Sequence, residues 1–336
     1  ISFYTFQSIS YIIDVYNKNI LPEKSFLNYF CYLTFFPQLV AGPILRASEV
    51  IHQFVQKTRF NIDYIFSGFQ RIFYGLFLKV VLADNIAPLV DEGFASSTNQ
   101  LFALDVWTLS FLFGFQIYFD FSAYSHIAIG SAILLGIYFP ENFNFPYLAT
   151  SPREFWKKWH ISLSSWIRDY LYLPLLGLKR ISKSSGGIDT TKTSKKSNMI
   201  LISTWGIMGF WHGASWNFFI WGVYHSFLIL IYRFAYSLNL NINKFYQNLV
   251  GIFVTLPLIM LGWIPFRSTS VDQTFEMWSK IFNPYSYFKL GLRENTYLIT
   301  FLILIGILSF KIIRNPKIQY HFEIRYLSFF IDIMKW

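Results

Sequence analysis

The sequence predicts an all-α, polytopic membrane protein, on three observations. Only 14% of its residues are charged and 54% are hydrophobic, against about 25% charged in an average soluble domain. Its mean hydropathy is +0.39. Charge-poor runs approaching the ~20 apolar residues needed to cross a bilayer recur along the chain. The alternative, an unusually apolar soluble enzyme, would lack the polar surface a chain of this size needs.

Taken in order, the runs begin at once. ISFYTFQSISYIID opens the chain without a basic start or a small-residue cleavage site, so it does not read as a signal peptide. It starts in the middle of a hydrophobic stretch, and an N-terminal portion is expected to precede it. Ser25–Leu45 has no charge but contains Pro37, Gly42 and Pro43, which predicts a broken segment. Tyr64–Ala83 is apolar apart from Arg71 and Lys79. Val106–Phe119 is apolar, Asp120 interrupts, and Phe121–Pro140 continues without an acidic residue, Lys or Arg. Ser197–Tyr232 is charge-free and too long for one span, so it suits two passes, or one pass and a re-entrant segment. Leu249–Phe266 and Asn295–Phe310 complete the series. About seven to nine membrane segments are expected in one membrane domain covering 1–336, with re-entrant or interfacial helices between them. No repeat of fixed period and no soluble domain stands out.

The net charge of +10 does not call for nucleic acid as a partner. The basic residues cluster in a few loops, where the positive-inside rule accounts for them. Ser151–Asn198 is the main cluster, with many Lys and Arg against Glu154, Asp169 and Asp189, which places it on the cytoplasmic side. Its second half reads as a flexible basic loop over 179–198. The single cysteine, Cys31, excludes an intrachain disulfide and is expected to be a small packed residue.

Two histidines draw the chemistry. In SPREFWKKWHISLSSWIRDYLYLP, Ser151 reads as an N-cap followed by Pro152 and, three residues on, Glu154. On a continuous helix Trp156, Trp159, His160, Leu163 and Ile167 share one face, and Lys157, Lys158, Ser165, Arg168 and Asp169 the other. His160 is thus either a packed, hydrogen-bonded core histidine or a site residue. The basic face suits lipid headgroups or an acidic carrier or cofactor. In GFWHGASWNFFIWG, His212 sits in apolar surroundings. If that segment is helical, Met208, Ser215, Trp216 and Phe219 lie on its face and Gly209 and Gly213 beside it. An ionisable residue within a membrane marks a functional site by default, although a neutral imidazole costs least. Glycines there would let a slender substrate chain approach. The alternative is a packing histidine bonded to a carbonyl.

No His-x-x-x-His pair, cysteine cluster or closely flanking acid accompanies these histidines, so no metal is expected. No Gly-x-Ser-x-Gly elbow or phosphate-cradling loop occurs either. A lone histidine suits general-base work, taking a proton from a hydroxyl as it attacks an activated acyl group. That assistance is typically worth about 10²–10⁴-fold.

FQIYFDFSAYSHIAIG (115–130), FPENFNFPYLATSPREFWKKWHISLSSWIRDYLYLPLLG (139–177) and GFWHGASW (209–216) together resemble the membrane-bound O-acyltransferase superfamily. Within it they are similar to the bacterial alginate-type branch, whose members acetylate secreted polysaccharides. ISFYTFQSISYIIDVY and FFPQLVAGPILR (35–46) extend the resemblance over nearly the whole chain in the same order. It implies a helix bundle around a transmembrane tunnel, set in the bacterial cytoplasmic (inner) membrane, with an N-terminal part of the family domain lying outside this sequence. Donor would enter from the cytoplasm and acceptor from the opposite face. It implies that His212 is the essential catalytic histidine and His160 the second signature position.

On that basis Trp211, Gly209, Gly213, Ser215, Trp216, Trp159 and Asp120 are candidates for lining the tunnel. Lys157, Lys158 and Arg168 are candidates for docking the donor. The resemblance implies no tightly bound cofactor, acetyl-CoA or an acyl-carrier thioester as donor, a polysaccharide acceptor and a periplasmic acetyltransferase partner. LPLLGLKR (173–180) departs from the Gly-Gly pair usual in the alginate type, which leaves the polysaccharide open. Two alternatives stand: D-alanyl transfer to teichoic acid, and a histidine-relay transporter. The transporter would favour several acidic residues deep in the spans, and only Asp120 comes near that.

Overall fold

Every regular element among the described residues is helical, and none is a strand. The computed structural model describes residues 3–39, 41–56, 61–178, 195–238 and 244–313. Residues up to Gly291 form one unit and those from Leu292 another.

In the first unit, α1 (Phe3–Tyr16) buries Phe6, Gln7, Ser10 and Asp14, a face with helical spacing. α2 (Phe26–Thr34) starts at Ser25, whose hydroxyl accepts from the Asn28 amide at 3.3 Å. It ends before Pro37, and a short 3₁₀ turn over Phe36–Gln38 and an irregular stretch lead to α3 (Ala47–Val55). The Ser25–Leu45 run is therefore broken where proline removes a donor and blocks the preceding turn.

α4 (Ile62–Leu76) passes through a π-helical stretch (Phe77–Ala83) into α5 (Asp84–Ala95). α6 (Ala103–Leu134) runs through Asp120 as one helix. α4 and α6 pack closely through small residues: a Cβ on Gly68 would lie 3.0 Å from the Gly130 carbonyl oxygen, and one on Gly130 2.7 Å from that of Gly68. The other side of α4, continued by the first residue of the π-helical stretch, exposes Phe66, Phe69, Phe73 and Phe77 at spacings of three and four, a stripe suited to lipid rather than water.

The middle of the chain gives α7 (Pro152–Lys158), α8 (Ile161–Ile167), a π-helical turn (Arg168–Tyr172) and α9 (Leu173–Leu175). Of the expected basic loop, 179–194 lies outside the described residues, and 195–198 instead begins α10 (Lys195–His212). α10 and α11 (Trp216–Ser237) divide the long charge-free run between them. α12 (Lys244–Leu261), α13 (Trp263–Arg267) and α14 (Val271–Ile281) follow. In the second unit, α15 (Glu294–Ile313) is an apolar helix with Glu294 in its first turn.

Among the described residues, two helical segments are long and apolar enough to cross a membrane, Ile62–Ala95 and Trp216–Ser237. Gly251–Arg267 and Glu294–Ser309 are shorter apolar helices. Near the site, Phe6 of α1, Ile44, Leu163 and Trp166 of α8, and Tyr170 form one buried cluster, with Trp211 of α10 packed against it.

Candidate active site

The start of α7 follows from local chemistry. The Ser151 hydroxyl accepts from the Glu154 amide at 3.1 Å, and Pro152 occupies the first turn, where no N–H is needed. The Glu154 carboxylate reaches back to the Thr150 amide (2.8 Å) and hydroxyl (2.7 Å).

The continuous helix expected beyond that point does not form. The chain leaves helical geometry at Trp159, and His160 adopts left-handed backbone angles, φ 42° and ψ 56°. For a side chain other than glycine this costs about 1–2 kcal/mol. What holds it is the irregular segment around Asn142. The Asn144 amide donates to the Lys158 carbonyl (2.9 Å), and the Ile161 amide to the Asn142 carbonyl (2.9 Å). The Ser162 amide (3.2 Å) and hydroxyl (2.9 Å) both donate to Asn142 Oδ1. Backbone groups that two helix ends would leave unpaired are thereby satisfied.

The kink keeps Trp156, Trp159, His160 and Leu163 on one wall of a cavity of about 250 Å³. His212 lines the same cavity, with Met208 and Trp211 of α10, Trp221 of α11, and Trp263 and Phe266 of α13. Both histidines therefore reach one space. Rings connect them: Phe3 lies 6.3 Å from His160 and 6.1 Å from Trp211, and Trp211 lies 4.8 Å from His212. His160 is buried and its Nδ1 lies 3.1 Å from Asn142 Oδ1. The His212 imidazole has no hydrogen-bond partner among the described residues. It is set between Trp221 (4.9 Å), Phe266 (5.2 Å) and Trp211. The indole N–H groups of Trp156, Trp211 and Trp221 are buried without an acceptor among the described residues, so the lining has donors to spare.

Other candidates are placed differently. α10 ends at His212, so Ser215, Trp216 and Phe219 do not share a helical face with it. Ser215 caps α11, its hydroxyl accepting from the Asn217 amide at 3.3 Å, and Trp216 is exposed. Gly209 and Gly213 give clearance to helix α11 rather than to the cavity. A Cβ on Gly209 would overlap the Phe218 backbone, one on Gly213 the Phe218 ring, and one on Gly222 the Trp205 carbonyl. Asp120 is not part of the cavity lining. Its carboxylate is half exposed and pairs with Lys79 at 2.7 Å, which also pairs with Asp84 at 2.8 Å.

Lys157 is exposed, Lys158 pairs with Glu154 at 2.6 Å, and Arg168 is largely exposed while paired with Asp169 at 2.6 Å. Asp169 itself is buried rather than on a polar face, because Arg46 meets it at 2.7 Å from the loop before α3. Ile167 packs with the Phe6–Trp166 cluster instead of lining the cavity. The motif reading missed Asn142 and Ser162, whose signal was only the quoted run around PENFN and WHIS, and the distant rings of Phe3, Phe121 and Phe266.

The family model for MBOAT, the membrane-bound O-acyltransferase family, matches residues 17–265. A probable alginate O-acetylase of Azotobacter vinelandii is 39% identical over 84% of this chain and 53% of its own length. A probable alginate O-acetylase of Pseudomonas aeruginosa is 37% identical over 84% of the chain and 51% of its own length. A peptidoglycan O-acetyltransferase of Helicobacter pylori is 34% identical over 82% of the chain and 55% of its own length. The chain spans about half the length of these curated relatives. With the matched residues covering both histidine motifs and the cavity from Ile117 to Trp263, the chain belongs to the membrane-bound O-acyltransferase family.

Proposed function

We propose that the chain forms the membrane body of an O-acyltransferase that moves acetyl groups from a cytoplasmic activated donor towards hydroxyls of a secreted or cell-envelope polysaccharide. The observation that carries this reading is the arrival of His160 and His212, from separate helices, at one ring-walled cavity. The names of the relatives, two acting on alginate and one on peptidoglycan, supply the substrate class. In the reaction, His212 takes the acceptor hydroxyl's proton or orients that hydroxyl. The oxygen bonds the acyl carbon, the thioester C–S bond breaks, and the leaving sulfur takes up a proton. The water-poor walls protect the activated acyl group from hydrolysis.

The donor is acetyl-CoA or an acyl-carrier thioester, with Lys157, Lys158 and Arg168 as docking residues on the cytoplasmic side. We place the chain as a multi-pass protein of the bacterial cytoplasmic membrane, with about seven to nine segments around a tunnel and a periplasmic acetyltransferase as its partner. Mass spectrometry of surface polysaccharide with and without the gene tests the reading. Acetyl groups are expected to be lost from the polymer in its absence. Loss of alanyl groups alone would assign D-alanyl transfer, and an unchanged polymer would overturn acyl transfer.

A further inference from the structure

The residue beside His160 decides which of its nitrogens works. Asn142 is fully buried, and its side-chain oxygen meets the Ser162 amide (3.2 Å), the Ser162 hydroxyl (2.9 Å) and His160 Nδ1 (3.1 Å). Its side-chain nitrogen lies 3.2 Å from the Ser125 hydroxyl of α6. The orientation of an asparagine amide has to be argued from its partners. Here a backbone N–H settles it, because the Ser162 amide is only ever a donor. The atom facing that amide must be oxygen, and the same atom faces His160 Nδ1.

An amide oxygen has no hydrogen to give, so the hydrogen between Asn142 and His160 sits on Nδ1. The Ser162 hydroxyl accepts from the Ile44 amide at 2.9 Å and donates its one hydrogen to this oxygen. The left-handed backbone at His160 and the Ile161 amide bond to Asn142 hold the two residues in register.

We propose that Asn142 is a positioning residue that fixes the His160 imidazole as the Nδ1–H tautomer. Nε2 is then the one acceptor nitrogen that His160 offers at the cavity. This goes beyond the acyl-transfer reading and rests on it for its consequence: His160 Nε2 accepts a hydrogen bond from a hydroxyl and cannot donate one. The logic is that of the carboxylate or amide that orients the histidine in hydrolytic triads, on an unrelated frame.

The test has one arm independent of activity. The full-length protein, labelled with ¹⁵N-histidine and held in lipid nanodiscs, is studied by NMR, with the His160 signals assigned by their loss in His160→Gln. The expected spectrum shows the proton of His160 on Nδ1, and Asn142→Leu abolishes that preference. The proton on Nε2 in the unaltered protein would overturn the proposal, whether or not the protein transfers acyl groups.

The second arm measures acetyl transfer to polymer by membranes supplied with acetyl-CoA, normalised to protein present. Asn142→Leu should lower kcat by about tenfold or more, up to the about 10²–10⁴-fold that general-base assistance is typically worth, and leave the KM for acetyl-CoA unchanged. Asn142→Asp keeps an acceptor for Nδ1–H and should recover most of that loss. If the role were packing alone, the buried carboxylate would be the worse substitution, so kcat for Asp at or below that for Leu overturns the proposal. Absence of transfer by the unaltered protein would count against the acyl-transfer reading, while the NMR arm still decides the tautomer.

Discussion

His160 lies between two short helices, and its ring nitrogen, the next amide at Ile161 and its neighbour Ser162 are all bonded to one asparagine. His212 ends a long helix with aromatic rings around it and no hydrogen bond to its imidazole among the described residues. One half of the cavity is specified by directional bonds and the other by shape. A hydrogen-bonded imidazole has one tautomer and one orientation, which suits a fixed acceptor. A ring-packed imidazole keeps both nitrogens available, which suits a group that gains a proton and passes it on.

The largest effects should come from the histidines themselves. His212→Ala is expected to remove polymer acetylation by about 10²–10⁴-fold while the protein still accumulates in the membrane. Quantitative immunodetection beside mass spectrometry of the polymer reads both. Normal acetylation at normal accumulation would remove His212 from the chemistry and end the division of labour between the two halves.

A smaller loss is expected where shape alone sets the His212 side. α10 and α11 approach so closely that a side chain on Gly222 would overlap the Trp205 carbonyl. Gly222→Val therefore has to separate the helices, and overpacking of this kind costs about 1–3 kcal/mol. Thermal denaturation of the solubilised protein should show a lower midpoint, with transfer falling in step. An unchanged midpoint would mean that the crossing is looser than its backbone contacts indicate.

How far each half was legible in the sequence follows from the range of its interactions. The α7 cap was readable because Ser151, Pro152 and Glu154 act within one turn. The histidine motifs were readable as motifs, and the break in Ser25–Leu45 as a consequence of Pro37. The kink at His160 was not, because its cause stands 18 residues upstream at Asn142. Helical periodicity carried the wheel straight through the kink, which put Asp169 on a polar face. Its burial depends on Arg46, 123 residues away in sequence. The glycines beside His212 were legible as places of close approach, but not the approaching partner, a neighbouring helix, since a missing Cβ looks the same beside a helix or a ligand.

On the hydrogen-bonded side a single lost bond should be tolerated better. Ser162→Ala leaves the Ile44 amide without its acceptor and removes one donor from Asn142, at a cost of about 1–2 kcal/mol. The Ser162 backbone amide still orients Asn142, so the His160 tautomer should be retained in the NMR spectrum although the denaturation midpoint drops. Loss of the tautomer in this variant would shift the positioning role from the asparagine to the serine hydroxyl.

The smallest effect is expected outside both halves, at Asp120. It was a candidate for lining the tunnel, and the one residue that came near the several deep acids a transporter would need. Its carboxylate instead pairs with Lys79 from the α4–α5 segment and is about half exposed. Lys79 keeps a second partner in Asp84, so Asp120→Asn leaves the ammonium paired. A substitution away from the cavity should change transfer by no more than roughly twofold, the scale of the ±0.5 kcal/mol typical of such sites. The measurement is the acetyl content of polymer in cells carrying the variant at matched protein level. A loss comparable to that of His212→Ala would show that the cavity needs a third ionisable group. Protons would then have to cross between α6 and the histidines, and two differently held imidazoles would no longer suffice for the chemistry.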